Sequence, residues 1–183
     1  MALSGDLPTI VTPTVELRPF CSDDRSLVQE ASLDPHIPLI TSVPSTSDPN
    51  EAMAFIDRQA DRVASGEGYP FVIVSVKSNE AAGAIGLWPR DLKNGRASIG
   101  YWIVASQRRQ GLATEALRSI SSWGLGLDQI HRLELYVEPW NEGSWRAAEQ
   151  AGYQREGVLR DWERVGGRWR DMYMYSLVEP GEN

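Results

Sequence analysis

Apolar and polar positions alternate in distinct periods along the chain, and the changes of period mark its elements. Val15 and Leu17 alternate with Glu16 and Arg18 ahead of Pro19-Phe20, the period-two pattern of a short half-buried strand. Ser22-Asp23-Asp24 then caps a helix that runs to about Leu33, where Asp34-Pro35 stops it. The four prolines and many Ser and Thr residues from Pro35 to Pro49 predict a loop with little helix. A second helix is predicted from Pro49 to Ser65, with Ala52, Phe55, Ile56 and Val63 at helical spacing and Gly66-Glu67-Gly68 ending it.

From Tyr69 the pattern becomes that of strands. Pro70 to Val76 and Ala81 to Trp88 flank the turn Ser78-Asn79-Glu80, and Asn94-Gly95 leads into Ala97 to Val104, so an antiparallel meander is expected. Leu112, Ala116, Leu117 and Ile120 share one face of a helix predicted over about Gln110 to Leu127. A strand Arg132 to Glu138, a helix Glu142 to Ala151 and two strands, Gln154 to Glu163 and Arg168 to Val178, complete the series. Residues 1–13 lack periodicity and are expected to form a flexible tail, with 14–183 as a single domain. The order β-α-α-β-β-β-α-β-α-β-β predicts an α/β (α+β) fold built on a mixed sheet.

Composition narrows the function. With 183 residues, 42% hydrophobic and 23% charged, the chain is an ordinary globular domain in size and make-up. Its net charge of −7 disfavours nucleic acid and anionic membrane surfaces and favours a cationic partner. Cys21 is the single cysteine, which excludes an intrachain disulfide and suits a reducing cytoplasm. His36 and His131 lie far apart without partners at metal-site spacing, so no metal is expected, and no stretch has the apolar length of a membrane span.

Two strand-to-helix junctions could carry chemistry. In the first, Trp102-Ile103-Val104 runs through Ala105-Ser106-Gln107 into Arg108-Arg109-Gln110-Gly111-Leu112-Ala113-Thr114. A helix start offers backbone N–H groups without intrahelical partners and the positive end of the dipole, a natural place for phosphate. Neither a P-loop nor the dinucleotide G-x-G-x-x-G spacing is present, and a plain solvated turn is the alternative. In the second junction, Glu138 is followed by Asn141 at a cap position and Ser144 in the first helical turn. There the competing reading is an ordinary helix cap.

Taken together, these segments resemble the GNAT superfamily of N-acetyltransferases, in particular its RimJ/RimL-like branch. The matching residues are Ile99-Gly100-Tyr101-Trp102, Arg108 through Leu117, Arg132-Leu133-Glu134-Leu135, Asn141-x-x-Ser144, Ala151-Gly152-Tyr153, Glu156-Gly157-Val158-Leu159-Arg160 and Asp171. They span about residues 14–178 in the family's order. The resemblance implies a bacterial, cytoplasmic transferase that moves an acetyl group from acetyl-CoA to a primary amine by direct attack in a ternary complex. It also implies a twisted sheet splayed at the cofactor cleft.

The implied roles fall residue by residue. Arg108, Arg109, Gln110, Gly111, Leu112, Ala113 and Thr114 would hold the pyrophosphate through backbone amides. Trp102, Ile103 and Val104 would pair with the pantetheine arm, one of their N–H groups serving the oxyanion. Asn141 would contact pantetheine, and Ser144 would protonate or hydrogen-bond the departing thiolate. Ser98 stands where the family often carries Glu, Arg109 replaces a common Gly, and Ala105 a common Pro. The base is therefore sought elsewhere, first at Glu138, then at Asp171 and Glu163, with a surface salt bridge as the alternative for each. Glu134 is read as structural.

Implied acceptors are a small-molecule amine or a protein N-terminal amine. Other donors (a carrier-protein thioester or an aminoacyl-tRNA) and a non-catalytic acyl-CoA-binding regulator are the rival readings. Residues 1–99 carry 8 basic and 13 acidic residues, net −5, and 100–183 carry 10 and 12, net −2, a weak fit to an amine acceptor beside a polyanionic donor. All seven tryptophans lie at or beyond Trp88. Trp123 has core spacing, while Trp88, Trp162 and Trp169 are candidates for an acceptor pocket, a homodimer contact or ordinary packing.

Overall fold

The computed structural model describes residues 7–178. Its strands are β1 (Ile10–Val11), β2 (Val15–Arg18), β3 (Tyr69–Ser75), β4 (Glu80–Asp91), β5 (Arg96–Ile103), β6 (Arg132–Val137), β7 (Gln154–Val165) and β8 (Arg168–Val178). Its helices are α1 (Arg25–Ser32), α2 (Ile37–Ile40), α3 (Pro49–Ser65), α4 (Leu112–Leu125) and α5 (Glu142–Gln150). The eight strands are hydrogen-bonded in the order β1-β2-β3-β4-β5-β6-β8-β7. The sheet is mixed, because β5 and β6 run parallel while β6 and β8, like β7 and β8, run antiparallel.

The chain divides into two compact units, one comprising residues up to Gly86 with Tyr101–Leu112, the other Leu87–Gly100 with the chain from Ala113. The boundaries fall inside β4 and β5, so no linker composition marks them in the sequence. In the first unit, Leu27, Val28, Phe55, Ile56, Val72, Val74, Trp102 and Val104 form one buried cluster. The helical and strand periods of α1, α3, β3 and β5 converge there. Helix α3 shows why its ends were readable: Asp48 accepts from the Asn50 amide, Pro49 occupies the first turn, and Gly66 closes the helix at φ 71°.

In the second unit Leu87, Leu117, Ile120, Leu133, Leu135 and Tyr175 are buried. The β5–β6 register runs from Arg96↔Arg132 to Ser98↔Glu134, and both strands continue past it. Glu134 is structural: Arg132 and Tyr136 both donate to it, at 2.8 Å each. Burial, reinforced by that bond, pushes the Tyr136 hydroxyl up to about 12.

Three expectations are corrected. Part of the presumed tail is a strand, because Ile10 and Val11 pair antiparallel with Leu17 and Glu16, and the Thr12 side chain closes the turn by accepting from the Val15 amide. The proline-rich segment contains α2, which forms because Pro38 falls in its first turn, where no N–H is needed, and Asp34 accepts from the amides of His36 and Ile37. Trp123 is only half-buried, since Gly124 rather than Trp123 faces Leu87 and Leu133.

Candidate active site

The first junction lies in the first unit and is built by close backbone approach. Gly83 on β4 sits opposite β5 with no room for a side chain: an added Cβ would collide with the Trp102 carbonyl and lie 3.0 Å from the Ile103 Cα. The Val104 N–H donates to the Ala82 carbonyl at 3.0 Å. The N–H and C=O of a strand residue point to the same side and alternate along the strand. Trp102 and Val104 therefore face β4, and Ile103 presents its N–H and C=O to the other side. Of the three residues expected to meet the pantetheine arm, Ile103 has the outward main chain, while the Trp102 side chain is buried in the core.

Beyond Ile103 the chain makes one 3-10 turn, Ala105–Gln107, and a loop whose backbone enters the left-handed region at Arg109 (φ 62°) and Gly111 (φ 76°). Helix α4 starts at Leu112, two residues after the predicted Gln110, because these left-handed residues exclude helix before it. Nothing lies within 4 Å of a Cβ placed on Gly111, so space is open over the loop at the helix start. A residue such as Arg109 held left-handed costs roughly 1–2 kcal/mol, which Gly in its place would avoid. That is the physical meaning of the departure at this position.

The loop is tied down by side chains from distant parts of the same unit. Ser106 Oγ donates to Glu30 Oε1 at 2.7 Å, and Gln107 Nε2 to Glu80 Oε2 at 2.9 Å. Arg108, half exposed, is held by two bonds, its Nη2 donating to Asp34 Oδ2 at 2.6 Å and its Nε to the Ile103 carbonyl at 2.9 Å. The Asp34 side chain is only 7% exposed. Burial pushes its carboxyl up, but the amides of His36 and Ile37 and the Arg108 guanidinium outweigh this and hold it below its ordinary value. Arg109 is exposed, and among the described residues it makes no ion pair. Glu30, Asp34 and Glu80 were not legible as parts of this site, because each pairs across a long sequence separation.

The second junction lies in the other unit. Strand β6 ends at Val137, and the Asn141 N–H donates to the Glu138 carbonyl at 2.9 Å in the turn before α5. Asn141 caps α5, its Oδ1 accepting from the Ser144 amide at 3.3 Å. The cap reading of Asn141 thus holds, and the NH2 of the same side chain is the donor it retains. Ser144 is half-buried in the first turn.

Glu138 is 5% exposed, and its Oε2 lies 3.7 Å from Arg170 Nε. The surface-salt-bridge alternative is thereby corrected in one respect: the pair exists, but its carboxylate is buried. Asp171 is exposed and accepts from the Asp161 amide at 2.9 Å, and Glu163 is exposed beside Arg170 on β7. Trp140, Trp162 and Trp169 are 60%, 51% and 62% exposed, with Trp162 stacked on Tyr136 at 5.6 Å between ring centroids. Among the described residues no group of three His, Cys, Asp or Glu side chains is placed to hold a metal ion, and no helix is long and apolar enough to cross a membrane.

The fold is a mixed α/β sheet with a left-handed loop feeding a helix after its fifth strand, and residues 14–154 match the family model described as the acetyltransferase (GNAT) domain. The chain belongs to the GNAT acetyltransferase family, whose reaction is the transfer of an acetyl group to an amine. It is 30% identical over 94% of its length to N-acetyltransferase p20 of Bacillus licheniformis, covering 97% of that protein. It is 29% identical over 45% of its length to the ribosomal protein uS5-alanine N-acetyltransferase of Escherichia coli, covering 42% of that protein. Among solved structures, Mycobacterium smegmatis RimJ in complex with CoA-disulfide superposes with a TM-score of 0.78 at 23% identity, over 93% of this chain and 87% of that one.

Proposed function

We propose that this protein acetylates a primary amine with acetyl-CoA as donor, and that a protein N-terminal amine in the bacterial cytoplasm is the acceptor. The observation that carries the reading is the loop ahead of α4, with Arg109 and Gly111 left-handed and open space over Gly111. Successive amides in such a conformation converge on an anion, and the helix start adds the positive end of its dipole. The residues present fit a pyrophosphate. The backbone of Arg108 to Thr114 holds it, and the outward main chain of Ile103 meets the pantetheine arm. The uS5-alanine N-acetyltransferase and the ribosomal-protein-serine acetyltransferase of Escherichia coli, whose names specify protein acceptors, support the choice of acceptor.

Acetyl-CoA supplies an activated thioester carbonyl. The chain's residues supply the rest. The Ile103 N–H stabilises the oxyanion as the amine nitrogen adds to the carbonyl carbon. Glu138 accepts the proton the amine must lose, directly or through water, and the C–S bond breaks as Ser144 Oγ–H hydrogen-bonds the thiolate. Asn141 orients the arm through its NH2.

The test is thiol release from acetyl-CoA across a panel of amines and N-terminal peptides, repeated with Glu138→Gln. Wild type should turn over at least one acceptor. Glu138→Gln should be slower on that acceptor while still binding coenzyme A, and an undiminished rate would remove Glu138 as the base. Tight coenzyme A binding with no turnover of any amine would replace the enzyme with an acyl-CoA-binding regulator.

A further inference from the structure

The two adjacent arginines of the loop face different partners, and the difference assigns them different work. Both are exposed, but Arg108 is bonded to a buried carboxylate and a strand carbonyl, whereas Arg109 makes no ion pair among the described residues. Accepting the acetyl-CoA reading above, we infer that Asp34 is a positioning residue that holds Arg108 against the Ile103 carbonyl, and that Arg109 alone of the pair presents its charge to the donor's phosphates.

The geometry of the clamp supports this division. One Asp34 oxygen accepts from the His36 and Ile37 amides, at 2.8 and 3.0 Å, which fixes the carboxylate on the start of α2. The other oxygen takes Arg108 Nη2, and Arg108 Nε reaches the C=O of Ile103, the residue whose N–H faces the same outward side. One guanidinium therefore couples the α1–α2 corner to both the end of β5 and the phosphate loop. Two further ties, Ser106 to Glu30 and Gln107 to Glu80, restrain the loop's first turn, Gln110 donates back to Gln107 at 2.9 Å, and the Arg108 side chain is held by the clamp. A guanidinium with an ionised partner at 2.6 Å is already neutralised, and drawing it to a phosphate would strand a buried carboxylate. Arg109 carries no such cost.

Asp34→Asn separates the alternatives, because asparagine keeps an oxygen for the α2 amides and removes the charge that holds Arg108. If Asp34 positions Arg108, the variant weakens acetyl-CoA binding by on the order of tenfold, the equivalent of one ion pair intermediate between exposed and buried. KM for the amine stays unmoved. Arg108→Gln gives a similar loss and the double variant no further loss, while the dependence of affinity on salt stays as in wild type. Arg109→Gly, by contrast, flattens that salt dependence.

If Arg108 is instead a direct phosphate ligand, Asp34→Asn frees it, and affinity equal to or above wild type overturns the inference. A flattened salt dependence in Arg108→Gln does the same, and decides the matter should Asp34→Asn not fold. Failure of wild type itself to bind acetyl-CoA would instead refute the cofactor reading, so the two failures are distinct.

Discussion

Gly83→Ala and Gly143→Ala make the same chemical change and should move stability in opposite directions. Gly83 lies in buried β4, where an added Cβ meets the Trp102 carbonyl inside any real contact distance and the Ile103 Cα at 3.0 Å. Both obstacles are backbone, so no side-chain rotation relieves them and the strands must part. Overpacking of this kind costs about 1–3 kcal/mol, and rigid obstacles place it at about 3. Stiffening the unfolded chain returns about 0.5–1 kcal/mol, leaving a net loss near 2 kcal/mol. For a chain of this length that is a fall in Tm of about 4–8 °C.

Gly143, in the first turn of α5, has nothing within 4 Å of an added Cβ and no positive φ, so alanine there should gain up to about 1 kcal/mol. Calorimetry of both variants beside wild type is the assay. Equal shifts, or a Gly83→Ala midpoint within about 1 °C of wild type, would refute the close-approach argument. Because the strain falls on Trp102 and Ile103, Gly83→Ala should also weaken acetyl-CoA binding, while Gly143→Ala should not.

Arg109→Gly relieves the left-handed backbone at φ 62° and should stabilise the free protein by about 0.5–1 kcal/mol net of glycine's entropy, even as it weakens donor binding; a lower Tm would contradict the strain. Ser144→Ala should cut turnover more than affinity for acetyl-CoA, and full turnover would remove its role at the thiolate. Arg132, and then Ser176, hold the Glu156 carboxyl down at about 2, against an ordinary value near 4.5. A depressed carboxyl stabilises the fold above the unfolded value and loses that contribution as pH falls through the folded one. Glu156→Gln should therefore lower stability at neutral pH, by about 1 kcal/mol or less for so exposed a pair, and converge on wild type as pH falls below about 2.

Elements whose signals are local were readable. Helix α3 spans the residues its pattern predicts, because the Asp48 cap, Pro49 and Gly66 are all within a turn of its ends. Strand β8 likewise has the extent its pattern predicts. What was not readable turns on which hydrogen bonds form, which apolar periodicity and proline content do not report. Strand β1 exists through pairing rather than pattern, and α2 because Asp34 supplies amide acceptors that outweigh a proline-rich context.

The site divides in the same way. The loop and the Asn141 cap follow from local chemistry. The pairing of Arg108 requires Asp34, 74 residues away, and the burial of Glu138 requires packing that no spacing rule reports. The same local text that marks a phosphate loop cannot tell which of two neighbouring arginines is already paired.

The central claim is that the left-handed loop before α4 binds the donor's phosphates, and a coenzyme A titration of wild type against Gly111→Glu tests it most directly. Glutamate at φ 76° strains the loop and sets a carboxylate in the open space that the pyrophosphate would fill. Wild type should gain thermal stability with rising coenzyme A, by RT ln(1 + [L]/Kd), and Gly111→Glu should show no gain. An undiminished shift in Gly111→Glu would contradict the assignment of this loop.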